Sequence, residues 1–149
     1  MSTVFSKIID GEIPGRFVWA DEHCVAFATI APITDGHVLV VPREPVDQLT
    51  DAPDDLLAHL MVVAKQIGRA QRTAWDAPRA AVLVAGFEVP HLHIHVLPAW
   101  DEKSLRFDNA RPDLPGERLD ADIERLRQAL LEAGHRGTVP VDMSSPALG

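Results

Sequence analysis

The stretch HLHIHVL, residues 91–97, decides the fold. Its histidines and aliphatic residues alternate, and in a β-strand the side chains at i, i+2 and i+4 point to the same face. His91, His93 and His95 would therefore form a row on one face, with the aliphatic side chains turned towards a core. The alternation predicts a strand over 91–98 that carries three imidazoles on one side.

Three interpretations of this histidine row (His91, His93 and His95) compete. A merely solvated face is disfavoured, because Thr, Lys or Glu would serve as well without clustering groups that titrate near neutrality. A three-histidine metal site is possible, although no nearby Asp, Glu or Cys is placed to orient the ligands. The third interpretation is catalysis at a phosphate, in which one imidazole attacks phosphorus and its neighbours donate to the phosphate oxygens. The spacing alone does not separate the last two.

The rest of the chain predicts an α+β fold. Apolar patterning indicates further strands, and helical periodicity indicates a long helix in which Leu56, Leu60, Val63 and Ile67 share a face. Short links between the strands favour antiparallel pairing, with the long helix covering one face. His37 opens one of these strands. The other strands are predicted at 16–20, 24–30, 37–41 and 79–86, and the other helices at 4–9 and about 120–133.

Composition limits the function classes. The 149 residues, 46% hydrophobic and 24% charged, suit one globular domain, and a net charge of −8 argues against a protein that coats nucleic acid or an anionic membrane. Cys24 is the only cysteine, which excludes an internal disulfide. The N-terminus does not resemble a signal peptide, and no apolar run approaches the roughly 18 residues of a membrane span. We therefore expect a cytoplasmic protein.

Beyond these patterns, the chain resembles the histidine triad (HIT) superfamily. HLHIHVL matches that family's His-φ-His-φ-His-φ-φ motif, and FSKIIDGEIP at 5–14, AFATIAPITDGHVLVVPREPV at 26–46 and GFEVPHLHIHVLP at 86–98 resemble family segments in the same order. The likeness covers about residues 4–98. It implies a five-stranded antiparallel sheet with one long and one or two short helices, paired into a homodimer. We expect a single HIT domain over 1–134, and a flexible tail over 135–149 because that segment lacks periodicity.

The resemblance also implies a chemistry. Family members bind a nucleotide and hydrolyse or transfer at its α-phosphate, so a purine nucleoside monophosphate moiety is the expected ligand. His93 would attack phosphorus to form a covalent nucleotidyl-histidine (a phosphohistidine intermediate), His91 would orient it, and His95 with His37 would donate to the phosphate or the leaving group. We expect a phosphoramidase-type hydrolase with no cofactor, most active near neutral pH while one donor is charged. The alternative is a weakly catalytic nucleotide sensor or scaffold.

The chain departs from the family pattern at several positions. Thr29 stands where an Asp or Asn commonly binds the ribose hydroxyls, and Ala85 where an amide residue is usual. Glu88 replaces a small hydroxyl residue near the phosphate, and Phe87 could wall a base or alkyl pocket. Ser6 stands where zinc-binding members have cysteines, so we expect no structural metal.

Overall fold

The computed structural model describes residues 2–149. It confirms the α+β class and the five-stranded antiparallel sheet, whose strand order is β1-β2-β3-β5-β4. The helices are α1 (Val4–Ile9), α2 (Asp54–Trp75) and α3 (Gly116–Glu132). The strands are β1 (Phe17–Ala20), β2 (Cys24–Ala28), β3 (Val38–Pro42), β4 (Arg79–Leu83) and β5 (Ile94–Ala99). Two single turns of 3₁₀ helix lie at Leu49–Asp51 and Phe107–Asn109.

The two faces of the sheet are covered by different helices. One face packs against the apolar stripe of α2, which was predicted from its periodicity, and against α3; its buried members include Val40, Ile94 and Val96. The other face carries Phe27, Leu39 and Val41 under Phe5 and other residues of the small helix α1. Because α1 is short, it covers only part of that face. Alternation along β3 and β5 places His37 and His95 on this incompletely covered side.

Strands β2 and β4 end earlier than predicted, at Ala28 and Leu83 rather than at residues 30 and 86. Two further elements begin at a different residue from the one expected. Strand β5 begins at Ile94, so His91 and His93 precede the strand rather than lie within it. The reason is that the Leu92 amide donates to the Val46 carbonyl in the loop after β3, at 2.7 Å, instead of joining the sheet ladder. Helix α3 begins at Gly116 rather than near residue 120, directly after Pro115, a residue that suits a helix N-terminus.

Helix α1 is fixed by a capping box. The Thr3 hydroxyl accepts from the Ser6 amide at 3.1 Å, and the Thr3 amide donates to the Ser6 hydroxyl at 3.2 Å. A six-residue helix is marginal without such caps. Thr3 is buried at this cap, and its hydroxyl also bonds to the ring of His91.

The segment after α3, expected to be a loose tail, contacts β1 in the structure. The amides of Phe17 and Ala20 each donate to a carbonyl of this segment at 2.7 Å. Val139 is buried, and the Arg127 guanidinium donates to the Val141 carbonyl at 3.2 Å. These bonds satisfy the otherwise unpaired edge of β1. None of the helices in the described part of the chain combines the length and hydropathy that a membrane crossing requires.

Candidate active site

Four imidazoles meet on the face that α1 covers in part. His91 and His93 come from the extended residues before β5, His95 lies in β5, and His37 lies just before β3. The ring centroids of His93 and His95 are 5.0 Å apart, and those of His37 and His95 are 5.1 Å apart. Phe5 of α1 packs edge-on against His93 at 4.9 Å. The structure thus brings together all four histidines that the sequence singled out.

Hydrogen-bond partners determine the tautomer of His91. Its Nε2 lies 2.8 Å from the Pro42 carbonyl oxygen, which only accepts, so Nε2 carries the proton. Its Nδ1 then accepts from the Thr3 hydroxyl at 2.7 Å. His91 is fully buried and bonded at both ring nitrogens. These bonds fix the ring of His91 as a neutral imidazole, and the backbone carbonyl of His91 is fixed with it.

The tautomer of His93 follows from that carbonyl. Nδ1 of His93 lies 2.7 Å from the His91 carbonyl oxygen and must donate to it. A neutral His93 therefore keeps the lone pair on Nε2, which bonds to no other side chain in the described chain. This is the protonation state that an attacking imidazole needs.

A second chain of bonds fixes His37 and His95. The Ile33 amide donates to His37 Nδ1 at 3.1 Å, so the proton of a neutral His37 lies on Nε2. That nitrogen lies 2.9 Å from His95 Nδ1 and donates to it. The proton of His95 is consequently placed on Nε2. The site presents a lone pair on His93 beside an N–H donor on His95.

The histidines are neutral at pH 7. Burial lowers the pKa of His37 to about 3, aided by the nearby His95 and Arg111. Burial, with the adjacent His93, lowers the pKa of His95 to about 4. Burial also lowers the pKa of His91 and of His93 below 6.5, although for His93 the bond to the His91 carbonyl and the charge of Glu88 oppose the effect. The charged donor that we expected from the sequence is therefore not one of these four histidines at pH 7.

The remaining predicted residues surround the histidines less closely. Thr29 follows β2, and its hydroxyl accepts from the Ala31 amide at 3.2 Å, which leaves its own proton free to donate. Glu88 is exposed in the loop before the histidine row, yet near enough for its charge to act on His93. Phe87 in the same loop is 98% exposed and walls no pocket. Ala85 is exposed as well.

Three residues of the site were not predicted from sequence. Thr3 supports His91 from 88 positions away. Gln71 of α2 is fully buried, and its amide donates to the carbonyls of Gly36 and Val96, each 2.9 Å away and each beside a site histidine. Phe107 packs on His95 with a centroid distance of 5.0 Å. A buried Gln in an otherwise apolar helix stripe was the one available signal; the other two contacts depend on the fold.

The histidine row does not offer three free metal ligands, because both ring nitrogens of His91 are bonded to protein groups. Within residues 2–149, the side chains whose ligand atoms gather within 4.8 Å are those of Asp21, Cys24 and His59 at the β1–β2 turn. There the Asp21 carboxylate accepts from His59 Nε2 at 2.8 Å and from two amides of the turn. These bonds join the turn to α2 and give His59 a structural partner.

Residues 10–102 match the family model described as the HIT domain. The chain belongs to the HIT family. It is 37% identical over 102 residues to an uncharacterised HIT-like protein of Methanocaldococcus jannaschii, covering 66% of this chain and 79% of that protein. It is 34% identical over 102 residues to the adenosine 5′-monophosphoramidase HNT1 of Saccharomyces cerevisiae, covering 68% of this chain and 65% of that protein.

Solved structures of the family share the fold. A zinc-bound histidine triad protein of Mycobacterium smegmatis, 29% identical, superposes with a TM-score of 0.77 over 91% of this chain and 97% of that one. A hypothetical histidine triad nucleotide-binding protein of Sulfolobus tokodaii, 28% identical, gives a TM-score of 0.76 over 87% and 92%. These similarities support a nucleotide hydrolase of the HIT type in general terms.

Proposed function

We propose that the protein hydrolyses a nucleoside phosphoramidate or a (di)nucleotide at the α-phosphate, through a nucleotidyl intermediate on His93. The observation that carries the proposal is the bond from His93 Nδ1 to the His91 carbonyl at 2.7 Å, which leaves a lone pair on Nε2. The monophosphoramidase relative in yeast supports an amine as the leaving group.

In the first step, His93 Nε2 forms a bond to phosphorus and the bond from phosphorus to the leaving nitrogen breaks. The departing nitrogen accepts a hydrogen bond from His95 Nε2 and takes one proton from solvent water, so that it leaves as the amine. His37 Nε2 donates to His95 Nδ1 at 2.9 Å and keeps the proton of His95 on Nε2, where it faces the leaving nitrogen. Both partners are already oriented, so little reorganisation accompanies the step.

In the second step, a water oxygen attacks phosphorus, the bond to His93 Nε2 breaks, and one water proton is released to solvent, which replaces the proton taken up in the first step. The products are the nucleoside monophosphate and the amine, and both histidines regain their starting tautomers. The reaction consumes one water and needs no oxidant or cofactor.

Nucleotide binding in this proposal uses groups around the row. His37 acts through His95, and Thr29 offers its free hydroxyl proton to a ribose oxygen. Glu88 lies near His93 and would repel a phosphate, so it must turn away or pair with a cation when ligand binds. Phe87, fully in solvent, would have to fold inwards to contact a purine.

The protein is also proposed to pair with a second copy. Strand β4 is an edge strand, and Val82 of that strand is exposed together with Met61 and Val62 of the adjoining helix α2. An open edge beside exposed apolar side chains is a surface that proteins usually cover. Light scattering of the purified chain tests this, and a monomer at micromolar concentration would refute the homodimer.

The decisive experiment measures hydrolysis of adenosine 5′-phosphoramidate by the wild type, by His93→Ala and by a matched control, His23→Ala, which removes an exposed histidine from the β1–β2 turn. We expect activity in the wild type and the control and its loss in His93→Ala. Denaturing alkaline quench and intact-mass measurement should show an adenylylated wild-type chain. Turnover by His93→Ala would disprove the mechanism.

A weakly catalytic nucleotide sensor is the alternative function. It is favoured by Glu88, whose negative charge acts on His93 where a phosphate would lie, and by Thr29, which cannot clamp a ribose diol as a carboxylate does. Calorimetric binding of AMP to the wild type, with no turnover of any phosphoramidate or dinucleotide, would establish this alternative in place of the hydrolase.

A further inference from the structure

The segment between β5 and α3, residues 101–115, lies almost wholly beyond the family match at 10–102 and is held firmly in place. Asp101 accepts from the Ser104 amide at 2.8 Å, and Asn109 donates to the Ser104 carbonyl at 2.9 Å. These bonds fold the segment around the 3₁₀ turn Phe107–Asn109. A loop tied in this way presents its side chains in one arrangement.

The same segment is anchored to the loop that precedes His37. The Arg111 amide and Nε both donate to the Pro32 carbonyl at 3.1 Å, and its Nη2 donates to Asp35 at 2.9 Å. Arg118 at the start of α3 binds the same carboxylate at 2.9 Å. The segment therefore crosses the site on the side of His37 and His95.

This path places Phe107 at one end of a row of rings. Successive centroids of Phe5, His93, His95 and Phe107 are separated by 4.9, 5.0 and 5.0 Å. Phe5 is buried beside the nucleophile, whereas Phe107 is 50% exposed and packs on the donor. One side of the Phe107 ring is thus committed to His95 and the rest is open.

In the proposed reaction, the leaving group stands opposite His93 Nε2 and beside His95 Nε2, which donates a hydrogen bond to it. Because Phe107 packs on His95 with a centroid distance of 5.0 Å and is half exposed, its open part would border that position. The charged neighbours Arg106 and Asp108 are exposed and pair with each other at 3.6 Å. Phe107 is therefore the residue of this turn that packs on the site histidines.

We propose that Phe107 forms the apolar wall of a leaving-group subsite and favours substrates whose departing amine carries an aryl or similarly flat apolar group. The inference rests on the proposed function. Aromatic pairs of this kind are worth a factor of about two to ten in a rate or binding constant.

The test compares kcat/KM for two adenosine 5′-phosphoramidates, one of methylamine and one of 2-phenylethylamine, with the wild type, Phe107→Leu and Phe107→Ala. Val141→Ala, an exposed apolar position on the C-terminal segment, is the matched control. We expect Phe107→Ala to lower the ratio of kcat/KM for the phenylethyl compound to kcat/KM for the methyl compound about two- to tenfold. The same ratio for Phe107→Leu should lie between the ratios for the wild type and Phe107→Ala. The ratio for Val141→Ala should match that of the wild type.

The outcomes are distinct. If the wild type hydrolyses the methyl compound but Phe107→Ala leaves the ratio of the two kcat/KM values unchanged, the subsite is wrong and the hydrolase stands. An equal fall for both compounds would mean that Phe107 only supports His95, which also overturns the subsite. If the wild type hydrolyses neither compound, the proposed phosphoramidate hydrolysis fails and the subsite falls with it.

Discussion

Removal of His37 should make the fold less sensitive to acid. His37 is almost completely buried. Its Nε2 already carries the proton that bonds to His95, and its Nδ1 accepts from the Ile33 amide. A second proton could bind only at Nδ1 and would break the bond to Ile33. Burial accordingly lowers its pKa to about 3. Since the pKa in the unfolded chain is near 6.5, the unfolded state binds more protons between these values, and stability is lost as the pH falls from 6.5 towards 3.

The size of the effect follows from the same shift. A pH of 5 is about 1.5 units below the pKa of His37 in the unfolded chain and well above its pKa in the folded chain. Protonation of His37 therefore stabilises the unfolded state, relative to the folded one, by about 2 kcal/mol. His37→Gln removes this contribution and frees His95 Nδ1. The loss of unfolding free energy between pH 7.5 and pH 5 should therefore be at least about 2 kcal/mol smaller in His37→Gln than in the wild type.

Urea denaturation followed by tryptophan fluorescence at the two pH values measures this difference, because lower stability of the variant at pH 7.5 cancels in the comparison. His23→Gln is the matched control: its side chain lies in solvent, and it should lose as much stability as the wild type. Equal acid losses in the wild type and His37→Gln would refute the neutral, double-bonded His37 and with it the tautomer assigned to His95.

Three further predictions concern the proposed nucleophile His93, the support of His91 by Thr3, and the turn before β3. Because burial holds the pKa of His93 below 6.5, kcat/KM for a phosphoramidate should fall only as the pH drops below 6.5 and stay level up to pH 8; a decline between 6.5 and 8 would show that catalysis needs a charged donor. Thr3→Val, which removes the hydroxyl bonded to His91, should lower kcat roughly tenfold with KM unchanged, and Thr3→Ser should restore it; equal kcat values would contradict the positioning role. Gly36→Ala should lower the unfolding free energy by about 2 kcal/mol in chemical denaturation, because φ is +85° and a Cβ would lie 2.5 Å from Trp75; wild-type stability would show that the ring moves freely.

The sequence predicted the sheet, its long helix and the clustering of the histidines, because alternation and helical periodicity are local signals. His37 and His95 share a face of the sheet because side chains alternate along a strand, as the sequence pattern predicted. The exact strand limits were less predictable: His91 and His93 lie outside β5 because the Leu92 amide bonds to Val46, a contact between residues far apart in sequence. Periodicity contains no information about such a partner.

The ring nitrogen that carries the proton in each histidine could not be predicted from the spacing of the histidines. The lone pair on His93 depends on a backbone carbonyl, and the proton on His95 depends on the Ile33 amide through His37. The aromatic cover from Phe107 depends on an arginine that reaches back to the loop before β3. Each is a consequence of tertiary structure, so spacing alone left the metal and phosphate interpretations open, and the bonding of His91 in the folded chain favours the second.

Backbone groups, rather than ionised side chains, set the tautomers of the site histidines on which the proposed mechanism depends. The Pro42 and His91 carbonyls accept, and the Ile33 amide donates, so the two chains of bonds end in a lone pair and an N–H that lie side by side. Main-chain groups do not titrate, so this arrangement holds at every pH at which the fold survives and the imidazoles stay neutral. The acid limit of catalysis and the acid limit of stability should then have a common origin in these buried histidines, and the pH–rate profile and the denaturation series measure it independently.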